Sequence, residues 1–179
     1  MKPGAKTLID NVAKVIGGIE TLATTRVMVG VPAEKGSRTD GEPINNAALA
    51  YIHDNGAPEA GIPARPFLRP GVDAKKAEIE AGFEKVGRAA LDGRTEAVER
   101  GFHAVGLIGQ NAVRAKINEG VPPPLAESTL RARAARGRKG AAQELANRKA
   151  GMPASTELAK PLIDTGQLRN AQTYVIRKV

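Results

Sequence analysis

Cysteine is missing altogether from this sequence of 179 residues, and so is tryptophan. The first absence excludes a disulfide framework, a thiolate zinc site, an iron–sulfur cluster and a cysteine nucleophile. Aromatic residues are scarce, with 3 Phe and 2 Tyr, so any core must be filled by small and medium aliphatic side chains. The two histidines, His53 and His103, lack neighbours at metal-ligand spacing and read as structural, His53 with Asp54 beside it as a turn contact. The longest unbroken apolar run, residues 47–52, falls far short of the roughly 20 residues that cross a bilayer. No apolar stretch of signal type follows Met1-Lys2-Pro3-Gly4, the pattern expected of a cytosolic product. Neither G-x-x-x-x-G-K-[ST] nor G-x-G-x-x-G occurs, so no phosphate cradle and no cofactor are implied.

What is present in excess is positive charge. The formal net charge is +8 and the isoelectric point is near 10.0, which predicts attraction to something acidic. Residues 121–150 hold seven basic side chains against Glu127 and Glu144, which accounts for most of that excess. The remainder of the chain is nearly balanced.

Apolar periodicity predicts helices near residues 5–22, 73–91 and 95–118, with strands at 26–31 and 171–179. A short helix over 45–54 ends at Asn55-Gly56. Gly17-Gly18 is a candidate kink or stop in the first helix, and Asp92-Gly93 a break between the two long ones. Gly101, Gly106 and Gly109 in the second suggest close approach of its backbone to a neighbour. Residues 33–43 carry no apolar pattern and read as a mobile loop. The expectation is a single α+β domain over 1–179, a small antiparallel or mixed sheet covered by long helices. Residues 121–160 form its basic, Pro/Gly-rich arm. With few large apolar residues besides Leu130 and Leu145, that arm is expected to be mobile in the isolated chain.

Chemistry-bearing motifs are few. Leu162-Ile163-Asp164-Thr165-Gly166 matches the apolar-apolar-DTG signature of aspartic proteases, but that chemistry needs two carboxylates sharing one proton. With a single copy here, Asp164 reads as a turn residue bonding downstream amides, and Gly166 as a positive-φ position. Residues 62–70 (IPARPFLRP) have three prolines that pre-order the backbone. Arg65, Pro66, Phe67, Leu68 and Arg69 are therefore contact candidates, the apolar pair docking while the arginines hold partner carboxylates. The alternative is that Phe67 and Leu68 fold back on their own core. Arg131, Arg133 and Arg136 are the corresponding candidates in the basic segment. Three readings stay open there: a solvated flank, contact with an acidic protein surface, or contact with nucleic acid.

Taken in order, five stretches resemble a known family. They are Leu49-Ala50-Tyr51-Ile52-His53-Asp54-Asn55-Gly56, the 62–70 segment, the long helical pair, Pro124-Leu125-Ala126-Glu127-Ser128-Thr129-Leu130, and Pro161-Leu162-Ile163-Asp164-Thr165-Gly166-Gln167-Leu168-Arg169 before a terminal strand. Together, over residues 26–179, they look like the tail-completion or neck proteins of tailed bacteriophages, the virion morphogenesis or minor tail components. The stretch between Leu130 and Pro161 is longer than that pattern. The resemblance implies a non-enzymatic virion protein, made in the host cytoplasm, that forms a ring with copies of itself at the head-to-tail junction. Its implied partners are neighbouring neck, head-closure, tail-terminator or tail-tube proteins, with DNA passing nearby and no membrane. The rival reading is a basic nucleic-acid-binding accessory protein.

Overall fold

A computed structural model describes residues 12–39 and 43–179. In chain order the elements are α1 (Val12–Thr24), β1 (Thr25–Gly30), α2 (Asn46–Asn55), α3 (Leu68–Asp73), α4 (Lys76–Leu91), α5 (Thr95–Glu119), α6 (Glu127–Ala135), α7 (Lys139–Lys149), α8 (Gln167–Ala171) and β2 (Thr173–Lys178). Strands β1 and β2 pair in an antiparallel two-stranded sheet, so the fold is α+β with helix predominating. The chain, expected as one domain, divides into two compact units. One gathers the chain up to Met28 with Lys76–Ile108 and Val175–Val179; the other holds Val29–Lys75 and Gly109–Tyr174.

The first unit is built on the packing of α1 against α4. Gly18 makes it work: a Cβ there would lie 2.7 Å from the Ala90 carbonyl oxygen, so only a bare backbone approaches this closely. That is why Gly17-Gly18 neither stops nor breaks α1, which continues to Thr24. Val86, Ala89, Ala90, Val98 and Phe102 form the core, with Leu22, Val27 and Ile176 packed on it. Phe83 meets Phe102 edge-on at 6.4 Å. Gly101 lies against a side-chain methyl of Val86, the close approach that the glycine pattern predicted. The Val179 amide donates to the Thr24 carbonyl at 2.7 Å, closing the end of the strand pair.

The second unit has two apolar clusters. Phe67, Val113, Ile117, Val121, Leu162 and Leu168 make the larger one. Leu125, Leu130, Ala141 and Ala159 make the smaller, between α6 and α7. Helix α2 starts on Asn45, whose Oδ1 accepts the Ala48 amide at 2.8 Å, and stops at Gly56 with φ of 81°. Asp54 then starts α3: its Oδ1 accepts the amides of Phe67 at 2.8 Å and Leu68 at 3.0 Å.

Several expectations change. A short helix forms over Leu68–Asp73 despite the proline density, because Pro70 stands in its first turn, where no amide donor is required. Part of the 33–43 loop is tied down: the Asn46 amide donates to the Gly36 carbonyl, and Asn46 Nδ2 to Ser37. Residues 40–42 of that loop, and 5–11 of the first helix, lie outside the described residues. The largest revision concerns 121–160, which is a packed helical hairpin instead of an arm awaiting a partner. Alanines let α6 and α7 approach closely, and internal hydrogen bonds from charged side chains replace the large apolar residues it lacks. Glu144 is 1% exposed, with its carboxylate receiving Arg148 Nε, the Ser155 amide and the Ser155 hydroxyl.

Candidate functional site

The arginines decide what kind of site this molecule can have. Arg65 leaves an extended stretch held by Pro63 and Pro66, its amide bonded to the His53 carbonyl at 2.7 Å. The residue is 5% exposed, and its guanidinium donates to the carbonyls of Pro123 at 3.0 Å and Pro124 at 3.3 Å. A proline run has acceptors but no donors, so an arginine that brings two N–H groups to it satisfies an otherwise costly burial. Arg65 is thus a staple inside its own unit, with its Nε and Nη2 given to the fold. Phe67, 1% exposed, has folded onto its own core, with Leu68 half-buried beside it. Of the five candidates in that segment, Pro66 and Arg69 remain exposed, Arg69 3.7 Å from Asp73.

Arg133 repeats the arrangement on α6. It is 8% exposed and donates to three carbonyls, Lys160 at 2.9 Å, Ile163 at 2.8 Å and Pro161 at 2.9 Å. One planar fork therefore pins the whole 160–163 bend, a task a lysine point charge cannot perform. Arg131 points outward to Glu127 at 2.6 Å. Arg136 and Arg138 converge on Asp164, at 2.7 and 2.9 Å. The Asp164 carboxylate is therefore neutralised by arginines and does not bond downstream amides, as its turn sequence had suggested. Gly166, with φ of 81°, holds the left-handed conformation expected of it.

Arg65, Arg133, Arg136 and Asp164 share one cleft of about 770 Å³. They supply its charged lining, and Ile62, Pro63, Leu125 and Ala126 form apolar wall. The volume lies in the range of small-ligand sites. His53 also lines it, with Nδ1 buried and unpartnered. Burial first, then the charges of Arg65 and Arg133, hold the His53 imidazole below its ordinary pKa and keep it neutral. Burial likewise disfavours the charged form of Arg133; Asp164 opposes that, while Arg136, Arg138 and Arg65 add to it. For Asp164, burial raises the pKa, but the bonds from Arg138 and Arg136 and the nearby Arg133 outweigh it and hold the carboxyl below its usual range. Guanidinium groups do not exchange protons near neutral pH, so the arrangement is suited to holding an anion.

No protein-family model matches the chain, and no curated protein or solved structure matches it. Function must therefore be argued from the chain itself. Among the described residues, no three His, Cys, Asp or Glu side chains converge on a possible metal position. No helix among them is long and apolar enough to cross a membrane. Sequence reasoning had singled out Arg133 and Arg136 but missed Arg138, and it placed His53 in a turn with Asp54. A signal for Arg65 was present: Pro122-Pro123-Pro124 offers carbonyls without amides and needs donors from elsewhere in the chain.

Proposed function

We propose that this chain is a structural subunit of the head-to-tail neck or tail-completion ring of a tailed phage, acting by assembly with copies of itself and neighbouring virion proteins. It is not assigned a reaction. The sequence resemblance supplies the family. The observation that carries an assembly role is on α1, where Val12, Ile16 and Ile19 are 64%, 51% and 46% exposed. The helix turns Val15, Gly18 and Leu22 inward instead, leaving a second apolar stripe uncovered. Large apolar residues clustered at a surface mark interaction sites, and scattered single ones do not. A ring subunit has a use for such a face.

Native mass spectrometry of the purified chain and electron microscopy of virions test the reading. The expected result is one closed stoichiometry, lost in the Ile16→Lys/Ile19→Lys variant while its circular dichroism is retained. A strictly monomeric chain, absent from virions and bound to duplex DNA with a steep salt slope, would establish the nucleic-acid reading instead.

A further inference from the structure

The cleft offers more donors than the fold consumes. Arg133 spends three of its five N–H groups, both of Nη1 and one of Nη2, on carbonyls. Arg136, by contrast, gives only Nη2 to Asp164, and Arg65 gives Nε and Nη2 to the proline carbonyls. Their remaining guanidinium N–H groups border the same concavity, with the exposed Thr129 on its wall. Three arginines against one aspartate leave the lining net positive, and apolar walls concentrate that field into the cleft. The walls also limit what enters: Ile62, Pro63, Leu125 and Ala126 favour apolar side chains next to the anionic group. Apart from the His53 imidazole, the lining has no aromatic ring on which a base can stack, which disfavours a single nucleic-acid strand.

We infer that this cleft binds an extended acidic peptide segment of a partner protein. A carboxylate meets Arg136 and Arg65 while the residues on either side of it lie against Ile62 and Leu125. The inference concerns what the cleft holds and stands whether or not the chain assembles into a ring.

The test uses the full chain and an eight-residue fluorescent peptide alternating Glu with Leu, read by fluorescence anisotropy at physiological salt. Amide NMR shifts locate the bound peptide. Binding is expected to shift Gly61, Ala126 and Thr129. It should weaken at least about tenfold when Gln replaces Glu, and by about tenfold in Arg136→Gln, the loss of one charge-assisted bond. Arg131→Gln, which removes an equal charge outside the cleft, leaves affinity unchanged. Ala126→Phe, at an exposed position on the wall, blocks entry without depending on Arg136 for folding. Equal binding of the Glu and Gln peptides overturns the inference. So do equal losses in the Arg131 and Arg136 variants, shifts elsewhere on the surface, or tighter binding of an oligonucleotide of the same charge.

Discussion

Replacing Arg133 by Met removes the guanidinium while keeping most of the side chain's length, so the effect is chiefly electrostatic. Three carbonyls, those of Lys160, Pro161 and Ile163, then lose their charged donor inside the second unit. A hydrogen bond to a charged group is worth about 1.5–3 kcal/mol, but three on one fork do not add independently. Breaking a buried charged arrangement from one side costs about 3–5 kcal/mol, and we expect about 4 for this substitution. For a chain of this size each kcal/mol moves the melting temperature by roughly 2–4 °C, so the transition should fall by about 8–16 °C. Lysine retains the charge but presents no planar fork, and Arg133→Lys should lie between Met and the parent. Urea unfolding gives the free energies, and amide exchange over α6, α7 and the 160–163 bend shows where the loss is felt. A Met variant within about 1 kcal/mol of the parent, with exchange unchanged in those segments, would mean that the fork only decorates a bend that apolar packing already fixes.

Other outcomes are equally open to measurement. Exchange protection across α6 and α7 in the isolated chain should match that of α5; rapid exchange there would refute the packed hairpin. Gly71→Ala places a Cβ 2.8 Å from the Val113 Cα, a backbone contact that cannot swing aside, and should cost about 1–3 kcal/mol in urea unfolding. His53 has its pKa lowered on folding, so its contribution is complete above about pH 6.5 and declines as pH falls below it. His53→Asn should abolish that part of the stability–pH curve. Asp164 is also lowered, so its contribution is full above the ordinary aspartate value of 3.8 and is lost as pH falls further. Asp164→Asn should flatten the acid limb in the same titration.

Much of the helical framework was legible because α5 carries a long apolar stripe and β2 alternates. The Gly101 and Gly109 contacts were also legible, since a glycine inside a helix needs a packing reason. The hairpin of α6 and α7 was not. Its interior is Leu130, Ala141 and the buried ions of Glu144 and Arg133, a set with almost no periodic apolar signal. Charged residues are seldom fully buried unless paired, which made Arg65 and Arg133 look like surface groups. Their partners are backbone carbonyls, and carbonyls have no letter in a sequence. Asp164 failed for a related reason: its local turn pattern was visible, but Arg136 and Arg138 reach it from the turn between α6 and α7, nearly thirty residues earlier.

The interleaving of the two units has a consequence for how the molecule is made. Strand β2 belongs to both, Thr173 bonding Gln110 at 2.8 Å in one and Ile176 packing with Val86 and Phe102 in the other. Because a ribosome delivers the chain in order, the first unit's core cannot be completed until this strand has emerged, although α1, α4 and most of that core's buried residues were translated long before. The nascent chain therefore spends nearly all of its synthesis with the first core unfinished and the apolar side chains of α4 available to chaperones. A premature stop that removes only β2 takes Ile176 from the first core and the Thr173–Gln110 bond from the second unit, and leaves the clusters around Phe67 and Leu130 without a missing member.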